Sequence, residues 1–313
     1  MLPVILKRLA ATIPVLFVVA VVIFSVLRLT PGDPAAIVAG DGATVQQIEA
    51  IRHHMGLDRP IPVQFVTWIS DVLRGDFGTS LISGLPVKDM IVDRMGPTIA
   101  ITLYTVIYTL LISIPVGILA AWRRGKAIDR IVTAGSVLGF SVPVFITAYL
   151  LIFLFSMGLG WLPVQGYKPL SDGIWNHLRH LILPVASLST IYIALITRFV
   201  RTSIIDTLGE DYIRTARAKG LNEREVLVRH ALGNAAVPIL TIIGITVTML
   251  IGGVVVTESV FNIPGLGRLV VEAILAKDFT IIQALIVLFS VVDIFVNLVI
   301  DVLYRVVDPR IDS

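Results

Sequence analysis

The chain of 313 residues contains no cysteine. That excludes disulfide staples, thiolate metal sites and cysteine nucleophiles. Charge is scarce as well: Asp, Glu, Lys and Arg make up 15% of the sequence, against 56% hydrophobic residues and a mean hydropathy of +0.91. A soluble domain carries about a quarter charged residues, so this composition belongs to a bilayer protein. Catalytic signatures are missing too. There is no G-x-x-x-x-G-K-[ST] phosphate loop, no H-E-x-x-H and no G-x-S-x-G, which excludes nucleotide hydrolysis on this chain and leaves a membrane protease or transferase without its chemistry. No convincing repeat relates the two halves, so an inverted-repeat carrier has no support. The net charge of +3 and pI near 9.3 are read as cytoplasmic loops facing anionic membrane lipid, with no nucleic acid.

What is present in quantity is long apolar sequence. Runs at 9–29, 99–121, 131–158, 181–200, 235–257 and 281–304 predict an all-α polytopic membrane protein with six transmembrane helices, each run able to cross a core of roughly 30 Å. The first run follows Lys7 and Arg8 like a signal peptide. It exceeds the usual apolar length of about 7–15 residues and lacks an A-x-A-like site behind it, so it is read as a retained anchor. The segments 1–8, 122–130, 198–234 and 305–313 hold 15 basic residues against 10 elsewhere. The positive-inside rule then places both termini in the cytoplasm.

The expected organisation is an N-terminal region with the first helix at 1–30, an extracytoplasmic segment at 31–98, a transmembrane core at 99–304 and a cytoplasmic tail at 305–313. Within 31–98, Pro62 opens and Gly75 closes a short amphipathic helix with Phe65, Val66, Ile69, Val72 and Leu73 on one face.

One stretch breaks the apolar pattern. "EDYIRTARAKGLNEREVLVRHAL", residues 210–232, holds nine charged residues in 23 positions. Gly209 and Gly220 bracket a helix with Glu210 and Asp211 in its first turn and Arg217 and Lys219 at its end, the order that the helix dipole favours. Glu210 and Arg214 stand at i,i+4, Tyr212 and Ala216 form a narrow apolar face, and Gly220 fits a left-handed C′ position. Asn222 and Glu225 resemble a capping box opening a second helix, with Glu225 and Arg229 at i,i+4. A helix of about ten residues is marginal in water, so this one has to pack on something. A solvated positive-inside loop is the plain alternative to a docking surface for a separate protein.

At this point the sequence resembles a known family. "RTARAKG" followed by "HALGNAAVP" is similar to the EAA loop of ABC importer permeases, in the form found in the dipeptide, oligopeptide and nickel permease family. "LRLTPGDPA", "GLDRPIPVQFVTWISDVLRGDFGTS" and "ESVFNIPGLGRL" extend the likeness along the chain. Arg214 and Thr215 stand where the general pattern has Glu and its first Ala, and Gly233 stands where it has Pro. The resemblance implies a type I ABC importer permease fold in a bacterial or archaeal cytoplasmic membrane. It implies an EAA-type coupling loop at 201–233, in which Asp211, Arg214, Thr215, Ala216, Arg217, Ala218, Lys219, Gly220 and Leu221 engage an ATPase. The implied partners are a second homologous permease, two cytoplasmic ABC ATPase subunits that carry the ATP and Mg, and an extracytoplasmic solute-binding protein. The implied cargo is a peptide or related small solute; this chain itself holds no cofactor and is not an enzyme.

Polar and small residues inside the spans are candidates for the pathway or the permease interface. Asp293, Asn297 and Asp301 recur every four residues along the last helix, and a carboxylate at membrane depth costs about 2.5–3.5 kcal/mol on insertion scales. Asp293 is open between a structural and a pathway role; Asp301 has Arg305 at i+4. Gly244, Thr248 and Gly252 form a four-residue stripe in the fifth span, and Gly135 and Gly139 one in the third, the latter read as packing. His53, His54, His177 and His180 lack ligand partners at metal spacing and are read as surface or interfacial. A proton-coupled secondary carrier using Asp293 is the runner-up function; it gives the capped charged loop no purpose.

Overall fold

With no water in the hydrocarbon to satisfy peptide groups, apolar runs of this length have to close their hydrogen bonds internally as helices. The computed structural model describes residues 2–29, 33–40 and 42–307, and no strand occurs among them. In chain order, α1 is Leu2–Leu29 and α2 is Pro34–Ala39, the latter opened by Asp33, whose side chain accepts from the Ala35 N–H at 3.0 Å. α3, Val45–His54, begins with a capping box between Thr44 and Gln47. α4, Ile61–Leu73, has Pro62 in its first turn and is followed by Gly75 at φ +77°. Its inward side is Phe65, Trp68, Ile69 and Val72, whereas Val66 and Leu73 are exposed, so the expected single apolar face is split.

α5 runs Val87–Trp122, starting well before the expected residue 99. α6, Ala127–Ser141, and α7, Val144–Leu151, follow, with α7 continued by a π-helical turn Ile152–Gly158. The run expected as one crossing at 131–158 is therefore two helices, bent by 101°. Pro143 is the cause: it disfavours helical backbone at the residue before it, and Val142 is extended at φ −93°, ψ 121°. Pro143 then opens the second helix, where its missing N–H costs nothing.

α8 spans Ile174–Leu208 and α9 spans Asp211–Ala218. A single turn α10, Glu223–Glu225, a π-helical turn Val226–Ala231 and α11, Leu232–Val260, form one continuous helix. α12, Leu266–Ala276, and α13, Phe279–Val307, complete the order. Among the described residues, four helices are long and apolar enough to cross a membrane, or five with the bent pair, and α1 adds an apolar stretch at Ala10–Ser25. The helices around the charged loop are longer than the runs at 181–200 and 235–257 suggest, leaving little loop between them.

The chain divides into two compact units. One comprises Pro97–Gly267 with the chain from Phe295 onward, and α8 is its hub. Leu181, Leu188 and Tyr192 pack with Leu250, Val254 and Phe261, while Ile196, Val200 and Ile204 pack with Leu227, Ala231 and Ile239. Glycine makes these approaches possible: a Cβ on Gly117 would lie 2.7 Å from Val200, and one on Gly253 would lie 2.8 Å from Leu188. Asp129 takes a bidentate pair from Arg201, its Oδ2 accepting from Nη2 at 2.9 Å, which ties α6 to α8. Fully buried Glu258 accepts from the Thr98 hydroxyl at 2.6 Å, and that hydroxyl accepts from the Leu266 N–H at 2.8 Å. The segment "ESVFNIPGLG" is thus folded back over its own carboxylate.

The other unit comprises Leu2–Gly96 and Arg268–Ile294. Phe24 of α1 packs its ring 5.1 Å from Phe65 and 5.9 Å from Trp68 of α4. Ser80 donates to buried Asp278 at 2.5 Å, and Glu272 accepts from Arg94 at 2.7 Å and Arg268 at 2.8 Å.

Candidate functional site

The polar element at 209–225 is built from local signals outward. Gly209 caps α8, Glu210 is extended at φ −69°, ψ 150°, and Asp211 sits in the first turn of α9, where the helix dipole favours a carboxylate. Arg214 pairs with Asp211 at 3.2 Å, in place of the expected Glu210, because the i,i+3 partner sits on the same turn. Thr215 returns its hydroxyl to the Asp211 carbonyl at 3.2 Å.

The C-terminal end is a Schellman turn. Gly220 is left-handed at φ +84°, its N–H donates to the Arg217 carbonyl at 2.9 Å, and the Leu221 N–H reaches the Ala216 carbonyl at 3.4 Å. Asn222 then caps the next helix by accepting from the Glu225 N–H at 2.8 Å. Glu225 faces Asn222 Nδ2 at 3.4 Å instead of the expected Arg229. An ion pair that sequence periodicity does not reveal closes the turn: Arg217 Nε and Nη2 lie 2.7 Å and 3.2 Å from the two oxygens of Glu223. This hydrogen bond raises the pKa of the Arg217 guanidinium further still, so its charge is permanent.

The underside of α9 is Ile213 and Ala216, buried against Val226 with Leu208 and Leu221 alongside. Ile213 replaces Tyr212 in the expected apolar face; Tyr212 lies on the exposed side, its hydroxyl accepting from Asn234 at 2.9 Å. Asp211, Arg214, Thr215, Arg217, Ala218, Lys219 and Gly220 face outward and Leu221 is half-buried, while Ala216 is turned inward at 6% exposure. The arrangement is a short, convex, mixed-charge element on a small core of its own. Beyond the Gly220 turn, the helix that starts at Glu223 continues without interruption into α11.

The small-residue stripe in α11 does not act as one surface. Gly244 is buried, and a Cβ there would lie 2.6 Å from Ile300. Thr248 is half-buried and Gly252 exposed with open space around it, whereas its neighbour Gly253 makes the close approach. In α6, Gly139 would place a Cβ 3.2 Å from Ala194, in line with packing, and Gly135 is open. Asp293 is half-buried and Asn297 exposed. Among the histidines, His177 is a correction: it is buried, bonded through Nδ1 to the Lys168 carbonyl at 2.7 Å and set between the Tyr104 and Tyr167 rings. His53 lies 3.7 Å from Asp58, and the His54 side chain falls outside the described residues.

Comparison with known proteins gives consistent matches. Residues 113–313 match the family profile of the binding-protein-dependent transport system inner membrane component, and residues 1–102 match the N-terminal profile of the same system. The chain is 50% identical over 307 residues to a probable peptide ABC transporter permease of Sinorhizobium fredii, covering 98% of each. It is 44% identical over 311 residues to a glutathione transport system permease of Salmonella choleraesuis and 43% identical to one of Escherichia coli, covering 99% of each chain. An inward-facing methionine ABC transporter structure superimposes with a TM-score of 0.57 at 20% identity, covering 70% of this chain and 96% of that one, a likeness of fold.

Proposed function

Because the chain belongs to the family of binding-protein-dependent transport system inner membrane components and is a membrane-spanning permease subunit of an ABC importer, we propose that the element at 211–221 is where ATP hydrolysis on separate subunits enters this chain. The carrying observation is the construction of α9: caps, a Schellman turn and a cross-turn ion pair hold a charged convex surface that its own fold does not cover. Ala216 supports that surface from beneath, and Asp211, Arg214, Thr215, Ala218 and Lys219 present it.

The assembly consists of this chain, a second homologous permease, two ATPases that bind ATP and Mg, and an extracytoplasmic binding protein that delivers the solute. The relatives named for peptide and glutathione point to a small peptide or a compound like one as cargo. Thr248, Gly252, Asp293 and Asn297 are assigned to the pathway or the permease interface, whereas Gly244 packs against Ile300 within the chain. α13 suits such an interface, since only 6% of its apolar window is buried by its own chain, against 61% for α8. Both termini lie in the cytoplasm. A proton-coupled carrier is not favoured.

The test is copurification and reconstitution. The tagged chain, solubilised mildly, is expected to bring ATPase subunits with it and to hydrolyse no ATP when stripped of them. ATP turnover by the rigorously pure single chain would sink the proposal.

A further inference from the structure

We propose that the cavity between α1, the α3–α4 turn and the start of α13 binds the anionic phosphate headgroup of a membrane phospholipid. The cavity measures about 460 Å³, within the range of about 300–1,000 Å³ typical of small-molecule sites. Every lining residue belongs to the unit formed by Leu2–Gly96 and Arg268–Ile294.

Charge decides the sign of the ligand. Arg52 lines the cavity but is already neutralised by Asp33, which lines it too, at 2.5 Å. Arg59 also lines it, and no acidic side chain among the described residues pairs with it. Counted over the charged residues that line the cavity, Asp33, Arg52 and Arg59, its wall carries one positive charge in excess.

That charge is held in place. Gln64 donates its amide to the Leu57 and Arg59 carbonyls at 3.1 Å and 2.6 Å, fixing the segment that carries Arg59 to the first turns of α4. Gly56 turns the chain at φ +64°, and the Arg59 stem lies alongside it, with Nε 3.5 Å from where a Cβ would sit. Thr280 and Gln283 line the opposite wall, and their side chains make no hydrogen bond among the described residues. A guanidinium with two uncommitted polar groups across the gap suits a phosphate, which takes several donors at once.

The remaining wall favours an amphiphile over a free anion. Phe24, Ile61 and Phe279 line it, and Phe24 continues into the exposed apolar side chains Phe17, Val18 and Val21 along α1. α4 itself exposes Val63, Val66 and Leu73 while Trp68 sits against Phe24, the pattern of a helix lying at the membrane boundary. An acyl chain can follow α1 while the headgroup occupies the cavity.

The experiment titrates the full purified chain in detergent with a short-chain phosphatidylglycerol below its micelle concentration, reading thermal stabilisation. Arg59→Gln is expected to weaken binding about tenfold, the loss of one charge-assisted contact, and Arg124→Gln to leave it unchanged. Short-chain phosphatidylcholine, with no net charge, and inorganic phosphate, with no apolar part, are expected to bind more weakly than phosphatidylglycerol. Equal binding by the Arg59→Gln chain, by phosphatidylcholine or by inorganic phosphate overturns the proposal. So does a short hydrophobic peptide that binds through its C-terminal carboxylate where the lipid does not, which would make the cavity a peptide subsite.

Discussion

Arg217 and Glu223 meet across the Gly220 turn in a two-pronged ion pair, 2.7 Å and 3.2 Å between the bonded atoms, joining the last turn of α9 to the first of the helix that becomes α11. Both side chains are substantially exposed, at 39% and 58%, so the pair stabilises the turn by about 0.2–1 kcal/mol. That is enough to bias the geometry of an element without deciding whether the chain folds. Arg217→Glu and Glu223→Arg alone are each expected to reduce ATPase copurification, and the double exchange to recover part of the loss. A double exchange no better than the single changes would show that these side chains touch the ATPase individually and do not brace the turn.

Ile213 is the anchor of α9. It is fully buried beneath the helix with Ala216 and Val226, and removing its side chain to Ala costs about 2–5 kcal/mol where the site cannot collapse. A helix of eight residues has little stability of its own to absorb that. Ile213→Ala is expected to speed tryptic cleavage at Arg214 and Arg217 in everted vesicles and to abolish ATPase copurification, with membrane insertion unchanged. Cleavage at the parental rate would mean that the helix is held from outside by its partner.

The sequence is legible here where the signal is a backbone requirement, and less so where it is a choice between neighbours. Gly220 and Asn222 each announce a cap and Asp211 a helix first turn, and all three sit as their types demand. The inward face of α9 was harder: Tyr212 and Ile213 differ by one position in phase, and eight residues are too few to fix a 3.6-residue period. Gly253, one position beyond the four-residue stripe, makes the close approach inside the chain, while Gly252 faces open space. Arg217 and Glu223 lie on different helices, outside any i,i+4 rule. The break at Val142 was readable from Pro143 but hidden within a continuous apolar run, because hydropathy counts residues and ignores direction.

The sidedness proposed here rests on the 15-to-10 division of Lys and Arg. In a chain with no native cysteine, a Cys placed at Arg124 is expected to resist impermeant thiol reagents in intact spheroplasts, and one at Gly42 to be labelled. The reverse pattern would put α9 out of reach of a cytoplasmic ATPase.

Asp293 lies half-buried in a helix that buries little of itself within this chain. A carboxylate at that depth is retained at a cost of about 2.5–3.5 kcal/mol on insertion scales. Asp293→Ala is expected to lower uptake several-fold while insertion stays intact. Normal uptake would return the residue to a structural role.

Gly220 separates two ways in which the turn can fail. Its backbone is left-handed at φ +84°, yet nothing lies within 4 Å of where a Cβ would project, so the chain itself imposes a conformational demand and no steric one. Val pays about 1–2 kcal/mol there, whereas Asn visits the left-handed region readily and adds comparable bulk. That penalty cannot unfold a packed helical membrane protein, but it equals the coupling energies of about 1–3 kcal/mol that link distant sites. Gly220→Val is therefore expected to leave expression near normal and to uncouple ATP hydrolysis from uptake in the reconstituted complex, while Gly220→Asn stays close to the parent. If Asn is as damaging as Val, the open space above Gly220 is occupied by the ATPase, and contact, not backbone geometry, is what the glycine protects. If both behave like the parent, the turn carries no coupling and the role assigned to α9 fails.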